Sequence, residues 1–182
     1  MNEIELIQKC KKNEYAAQMQ VYHLYKHHMY NSSYRIVRNR EDAEDIVQES
    51  FIKAFEKIHQ VKDDLKLGGW LRRIVVNASL DVVRKKKHQL EWNDLRIVED
   101  EVEEEIDDCS DISIDFIKES IYHLKEKYQI ILILYLIEDY THKEISELLQ
   151  LKESTVRNQY RRGKQQLVKQ LKNTDDEFRR AY

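Results

Sequence analysis

Proline is absent from this chain of 182 residues, and glycine occurs only three times. These two residues interrupt helices and mark most turns and strand boundaries, so a chain that lacks them has few places to end a helix. Leucine, glutamate, lysine and glutamine, which favour helices, are abundant instead. The sequence therefore predicts an all-α protein.

Long hydrophobic runs are also missing. None approaches the roughly 20 apolar residues of a membrane helix, and the longest, Ile130 to Ile137, is predicted to be a buried helix. Its β-branched residues also permit a strand, although no partner strand is apparent elsewhere. The N-terminus has no signal-peptide pattern, so we expect a cytoplasmic protein with no direct membrane insertion.

Clusters of reactive or metal-binding residues are a third absence. Cys10 and Cys109 are isolated and fit no metal spacing, so we expect reduced thiols. His23 and His27 have the i, i+4 spacing of a metal pair, but no nearby carboxylate completes a ligand set. No Gly-rich phosphate loop, nucleophile elbow or Cys/His dyad is visible. The sequence thus predicts no metal, no cofactor and no catalysis.

The net charge of −3 hides an uneven distribution. Twelve acids and one base lie between Leu90 and Asp115, so this segment carries −11 and the rest of the chain carries +8. Like charges with few apolar residues favour an extended or disordered segment. We therefore expect an acidic flexible linker at residues 89–115, joining small helical domains at residues 1–88 and 116–182.

The most informative stretch contains two amphipathic segments between Tyr140 and Lys172. Thr141 and Glu144 form the T-x-x-E pattern of a capping box, and apolar residues follow them at helical spacing. After a joint around residues 150–154, Ser154 is the predicted cap of a second helix. A short helix, a tight joint and a basic helix are typical of a DNA-binding helix-turn-helix.

The second helix separates an apolar stripe from a basic face. No acid lies between Thr155 and Thr174, and arginine, asparagine and glutamine can all read bases. Gly163 interrupts the helix at a cost near 1 kcal/mol, and Gln150 stands where such turns often carry glycine. The alternative is a solvated basic helix in a bundle. The predicted inward residues are Val156, Tyr160, Leu167 and Leu171, and the outward ones are Arg157, Asn158, Arg161, Arg162 and Gln165.

The clearest amphipathic helix is predicted from Glu41 to Ile58. On its polar face Ile52 stands among acids and amides, which suits a partner surface, although a lone exposed isoleucine is also ordinary. A helix before it has a weaker stripe of Tyr15, Met19, Tyr22 and Met29. The predicted inward face of the clearest helix consists of Ala43, Ile46, Val47, Ser50, Phe51, Ala54, Phe55 and Ile58.

A further helix is predicted to start near Gly69, with basic residues at both ends. Asn77, Asp81 and Arg84 form a polar stripe on it, and Trp70 lies one turn before them. Basic residues beside an exposed aromatic ring suit the binding of single-stranded nucleic acid. A capped surface helix with Trp70 in the core accounts for the same residue types, and both interpretations stay open.

Three motifs, in this order and spacing, resemble bacterial RNA polymerase sigma factors of the small extracytoplasmic-function (ECF) group. They are E-D-A-E-D-I-V-Q-E-S-F-I-K-A-F from Glu41 to Phe55, W-L-x-x-I-x-x-N-x-x-x-D-x-x-R from Trp70 to Arg84, and S-T-V-R-N-Q-Y-R-R-G-K from Ser154 to Lys164. The resemblance covers nearly the whole chain. It implies a non-enzymatic transcription initiation factor that directs core polymerase to promoters; the alternative is a stand-alone helix-turn-helix regulator.

The resemblance also implies a role for each domain. Residues 1–88 would bind polymerase and recognise and melt the minus-ten element, and residues 116–182 would read the minus-thirty-five element. The implied partners are promoter DNA, the β′ clamp helices and β flap of core RNA polymerase and, as a candidate, an anti-sigma factor. The implied polymerase-binding residues are Asp45, Gln48, Glu49, Ile52 and Lys53. Those for the minus-ten element are Trp70, Arg72, Arg73, Asn77, Arg84, Lys85 and Lys86. Those for the upstream element are Ser154, Thr155, Arg157, Asn158, Gln159, Arg161, Arg162 and Lys164.

Overall fold

The computed structural model of the chain describes residues 3–61, 67–88 and 114–181, and every regular element in those ranges is helical. The predicted all-α fold is thus confirmed. Two compact units divide between Trp92 and Asn93. The predicted linker lies outside the described residues, apart from its last two. The elements are α1 (Glu3–Lys11), α2 (Tyr15–Val37), α3 (Arg40–Glu56), a 3₁₀ turn (Ile58–Gln60), α4 (Leu67–His88), α5 (Ile114–Tyr122), α6 (Glu126–Leu132), a π-helical segment (Ile133–Ile137), α7 (His142–Leu149) and α8 (Glu153–Ala181).

The N-terminal unit packs α2, α3 and α4 around one hydrophobic core, with α1 and the 3₁₀ turn alongside. α3 starts at a cap, since the Asn39 side-chain oxygen accepts the Asp42 N–H at 2.9 Å, an arrangement worth about 1 kcal/mol. Its predicted inward face is buried, except for the half-buried Phe55. The Phe51 ring meets Tyr22 of α2 edge to face, with 5.0 Å between the ring centroids.

The stripe predicted for α2 is only partly right. Tyr15 is 74% exposed, whereas Ala17 and Val21 are buried. Small side chains occupy the close contact with α4, where the Ser79 hydroxyl donates to the Ser33 hydroxyl at 2.9 Å. A pattern that follows large apolar residues misses such a contact, because the helices meet through serine side chains there.

The C-terminal unit is built around the run from Ile130 to Ile137. The run is helical, as predicted, and not a strand: α6 continues directly into the π-helical segment. In that segment the Glu138 N–H donates to the Ile133 oxygen at 3.0 Å, one residue further back than in an α-helix. Ile131 and Leu134 are fully buried in this run.

The scarce glycines do not occupy the tight turns. None of them has a positive φ; within the described ranges that conformation falls on residues with side chains, Asn13, Arg38, Asp139 and Gln150. Gly68 serves close packing instead, since a Cβ there would lie 2.8 Å from the Tyr25 Cε1 atom.

No helix in the described ranges is long and apolar enough to cross a membrane.

Candidate nucleic-acid interface

α7 and α8 form a helix-turn-helix whose joint is fixed by local hydrogen bonds. The capping box is present as predicted: the Glu144 N–H donates to the Thr141 hydroxyl at 3.3 Å, and the Thr141 N–H donates to the Glu144 carboxylate at 2.9 Å. At the other end of α7, the N–H groups of Gln150 and Leu151 both donate to the Ser146 carbonyl. These bonds end α7 at Leu149, and α8 starts at Glu153, after three intervening residues.

We expect Gln150→Gly to raise the free energy of unfolding of this unit by about 0.5–1 kcal/mol. Gln150 lies in the left-handed region, at φ 55° and ψ 39°, which costs a residue with a Cβ roughly 1–2 kcal/mol. Glycine removes that cost but has more backbone entropy to lose on folding. Urea unfolding followed by far-UV circular dichroism measures the change. Gln150→Ala keeps the Cβ and is the matched control; an equal gain in that variant would contradict the explanation.

α8 turns the predicted apolar stripe inward. Val156, Leu167 and Leu171 are buried, and Gly163 lies on the same stripe, against α6. A Cβ at Gly163 would lie 3.0 Å from the Tyr128 Cβ. This glycine therefore permits a close approach of two helices, which the sequence did not indicate, and its predicted cost in helix propensity accompanies that role.

The predicted DNA-contacting side chains follow the opposite side of α8. The prediction of Ser154 as the cap is wrong, because α8 starts at Glu153 and the Val156 N–H already bonds to the Lys152 carbonyl. Ser154 instead lies in the first turn, where it is exposed. The exposed members of the predicted set are Ser154, Arg157, Asn158, Arg161 and Lys164, and the half-buried ones are Thr155, Gln159 and Arg162.

Arg157 is held in place by an acid of its own helix. The Glu153 Oε1 atom accepts from Arg157 Nε at 3.1 Å and from Nη2 at 2.6 Å. This hydrogen bonding is the main reason why the pKa of Glu153 lies below its ordinary value. Arg161 and Lys164, by contrast, form no ion pair within the described part of the chain. The basic face thus contains both a held arginine and free cations.

A cluster of three rings under the joint was not expected from the sequence. His142, the first residue of α7, stacks on Tyr135 of the π-helical segment at 4.4 Å between centroids, and Tyr160 of α8 meets both rings. Burial lowers the pKa of His142 below its ordinary value of 6.5, the charge of Arg157 lowers it further, and Glu153 partly opposes both. Spacing alone gives no signal for this cluster, because its members come from three elements.

On α4, the predicted minus-ten residues form a surface that is partly engaged within the protein. Trp70 is half-buried against the hydrophobic core, so it lies between the two interpretations of this helix. The Asn77 side chain donates to the Arg73 carbonyl at 2.8 Å. Arg84 pairs with Asp81 at 2.8 Å, and Lys86 pairs with Asp42 of α3. The remaining two residues of that set are the half-buried Arg72 and the exposed Lys85.

The predicted polymerase-binding residues are all exposed on the polar side of α3. Ile52 is 61% exposed, and the Glu49 carboxylate beside it pairs with Lys53 at 3.2 Å. Asp45 and Gln48 complete the surface one turn earlier. An exposed isoleucine is therefore framed by acidic, amide and basic groups.

Groups suited to metal or redox chemistry do not gather in the described ranges. No three histidine, cysteine or carboxylate side chains there come together as a metal site. Cys10 is a buried free thiol whose pKa is raised by burial and by the charge of Glu14.

A helical protein with a basic helix-turn-helix belongs to the DNA-binding proteins of transcription, and comparison with known proteins narrows the class. Residues 21–89 match the family model of sigma-70 region 2, and residues 117–167 match that of sigma-70 region 4. The ECF RNA polymerase sigma factor SigW of Bacillus subtilis is 32% identical over 180 residues, which covers 91% of this chain and 95% of the relative. SigV, an RNA polymerase sigma factor of the same organism, is 30% identical over 156 residues, which covers 83% of this chain and 89% of the relative.

Solved structures show the same fold. The sigma factor RpoE, in complex with the anti-sigma factor NepR from Bartonella quintana, has a TM-score of 0.55 at 19% identity and covers 85% of this chain and 96% of its own. CnrH, in complex with the cytosolic domain of CnrY, has a TM-score of 0.56 at 15% identity and covers 94% and 97%. The chain belongs to the ECF group of RNA polymerase sigma factors. It is therefore a non-enzymatic transcription initiation factor that directs polymerase to promoters.

Proposed function

We propose that α8 reads the minus-thirty-five promoter element as duplex DNA, with residues 116–182 as the reading domain. The observation that carries this proposal is the packing of α8, which buries one side of the helix against α5, α6 and α7 and leaves Arg157, Asn158, Arg161 and Lys164 exposed on the other. Arginine can form two hydrogen bonds with the major-groove edge of guanine, and asparagine can do the same with adenine. The held Arg157 and the free Arg161 suit base reading, and Lys164 suits phosphate contact.

The predicted domain of residues 1–88 supplies the other two contacts in this proposal. α3 docks on the β′ clamp helices through Ile52 and its polar neighbours, because an apolar residue on a charged surface gains most from a partner. α4 recognises and melts the minus-ten element, with the half-buried Trp70 at the edge of a basic surface. The β flap is the proposed partner of the C-terminal unit.

Restraint by an anti-sigma factor in the cytoplasm completes the proposal. It is supported by the family and by the two solved complexes of the same fold, each of which holds such a partner or a cytosolic domain. The alternative of a stand-alone regulator is disfavoured, since the match to sigma relatives extends over 91% of the chain.

One reading helix is a weak anchor by itself. A single helix with a few phosphate contacts binds at roughly 10⁻⁴ to 10⁻⁶ M at physiological salt, so specific occupancy needs a second anchor. Tethering two modules raises the effective concentration of the second. Any chain as long as the stretch from Leu90 to Asp115 reaches at most roughly 85 Å, which exceeds the roughly 50 Å between two elements one and a half duplex turns apart.

Transcription with purified core RNA polymerase tests the function directly. A promoter library with randomised upstream and minus-ten elements is transcribed with and without the chain. We expect polymerase to gain promoter selectivity only when the chain is present. Equal transcript distributions in the two reactions would refute the proposal.

Arg161→Ala tests whether α8 reads bases. We expect a loss of about 1–3 kcal/mol in promoter binding, together with a relaxed preference at one upstream position. Arg161 is exposed and unpaired in the described chain, so its removal leaves the fold unchanged. Selection from the library with the holoenzyme measures both effects. Lys169→Ala, an exposed cation further along α8, is the control that should keep the base preference. A uniform loss over all sequences would make Arg161 a phosphate contact instead.

A further inference from the structure

The half-buried ring of His142 lies where three elements of the C-terminal unit meet. Tyr135 lies parallel to it, with 22° between the ring planes, and Tyr160 meets it edge-on at 5.0 Å. The Nε2 atom of His142 is buried and has no hydrogen-bond partner in the part of the chain that the structure describes. A neutral imidazole tolerates this, but an imidazolium carries an N–H donor on both nitrogens and needs an acceptor at each.

The charges around His142 are those of the reading helix. Burial and Arg157 favour the neutral ring, and Glu153 favours the charged one. Tyr135 of the π-helical segment and Tyr160 of α8 face the ring. The charges that act on it are Glu153 and Arg157 of α8, and Lys143 of its own helix acts on Glu153. Glu153 is thus the one acid among them, and its Oε1 atom already accepts two bonds from Arg157.

Glu153 fixes the orientation of the Arg157 guanidinium but occupies only some of its hydrogen-bond donors. It engages Nε and one hydrogen of Nη2, and of the five N–H donors of an arginine three remain for a base or a phosphate. A guanidinium whose orientation is already fixed by Glu153 loses less conformational entropy when its remaining donors bind a base or a phosphate. A held arginine should therefore discriminate between bases better than a free one.

We propose that Glu153 and His142 are positioning residues for Arg157, and that a proton on His142 draws Glu153 away from the guanidinium and weakens reading of the upstream element. This inference rests on the proposed function of α8. A charged His142 attracts Glu153 and repels Arg157, so both effects loosen the same pair of bonds. Promoter selectivity then falls in mildly acidic solution.

The stability of the C-terminal unit should also decrease as the pH falls. His142 has a lower pKa in the folded chain than the ordinary 6.5, so below that pH the unfolded chain binds a proton that the folded one lacks. The stabilisation of the C-terminal unit by the neutral ring is complete above pH 6.5 and decreases as the pH falls from there towards the folded value.

The test compares pH profiles of holoenzymes made with the full chain and core RNA polymerase. The probes are an upstream-element duplex selected from a random library at pH 7.5 and a scrambled duplex. The measured quantity is the affinity for the selected duplex divided by the affinity for the scrambled one, a ratio in which general effects of pH on polymerase cancel. For the wild type we expect the ratio to fall by about twofold or more between pH 7.5 and 5.5, with most of the change below the ordinary histidine pKa of 6.5. His142→Phe keeps a flat ring and should have a ratio independent of pH. His123→Phe, which replaces an exposed histidine of the same unit, should behave as the wild type.

A second variant and a second observable keep the inference open to refutation. Glu153→Gln should lower the ratio at pH 7.5 and flatten its dependence on pH. In NMR spectra of the full chain, the Arg157 Nε–H signal should move with the titration of His142, whether or not polymerase gains selectivity. A profile of His142→Phe that matches the wild type, or an Arg157 signal that ignores His142, would overturn the inference. A wild-type ratio of one at pH 7.5, with the NMR coupling intact, would count against the proposed function alone.

Discussion

We expect Asp45→Arg combined with Glu49→Arg to weaken the association of the chain with core RNA polymerase more than about 100-fold, since like charges brought together in an interface cost several kcal/mol. Both carboxylates are exposed on the side of α3 that carries Ile52. The substitution changes the charge of this surface by four units without touching the core. The exposed pair of Glu49 with Lys53 is lost, at a cost of at most about 0.5 kcal/mol. Titration of labelled chain with purified core polymerase measures the affinity.

A control variant must distinguish a local effect at the α3 surface from the effect of the changed net charge. Glu5→Arg with Glu14→Arg makes the same change of four units at exposed positions outside α3, where Glu5 has only a surface pair with Lys9. This variant should bind polymerase as the wild type does. An equal loss in both double variants would attribute the effect to long-range repulsion and would contradict docking through α3.

Much of this surface could be predicted from the sequence because its determinants are local. A helix of seventeen residues repeats its inward pattern several times, so the buried positions of α3 follow from spacing, and Ile52 then stands out on the polar side. The capping box of Thr141 and Glu144 is equally local, since both partners lie within one turn. Such features need no knowledge of the tertiary contacts.

The features that the sequence did not disclose all depend on a second element. The ring cluster of Tyr135, His142 and Tyr160 forms only when the π-helical segment, α7 and α8 meet. Ser154 has the chemistry of a cap, but the hydrogen bonding of the joint starts α8 at Glu153, two residues before the start that a cap at Ser154 would give. Gly163 has no side chain to register in a hydrophobic pattern, although it lies three residues after Tyr160 on the inward stripe. Its role in allowing α8 to pack closely on α6 follows only from the tertiary structure.

We expect Gly163→Leu to destabilise the C-terminal unit by about 2 kcal/mol or more and to abolish selectivity for the upstream element. A Cβ at this position would already lie 3.0 Å from the Tyr128 Cβ and 3.2 Å from the Leu132 Cδ1 atom. Further carbons force α8 away from α6, and overpacking of this kind typically costs 1–3 kcal/mol. Gly163→Ala should be nearly neutral, because a gain of about 1 kcal/mol in helix propensity offsets the tight contact. Urea unfolding and hydrogen exchange in α6 and α8 measure the effect.

Gln166→Leu is the matched control, because it places the same side chain at an exposed position of the same helix and should leave stability and selectivity unchanged. The N-terminal unit has its own core, so the Gly163→Leu chain should still bind core polymerase and only fail to choose promoters by the upstream element. That outcome is the reverse of the one expected for Asp45→Arg with Glu49→Arg, which loses polymerase while α8 stays folded. If Gly163→Leu abolished polymerase binding as well, the two units would not act as separate anchors, and the division of labour between α3 and α8 would be wrong.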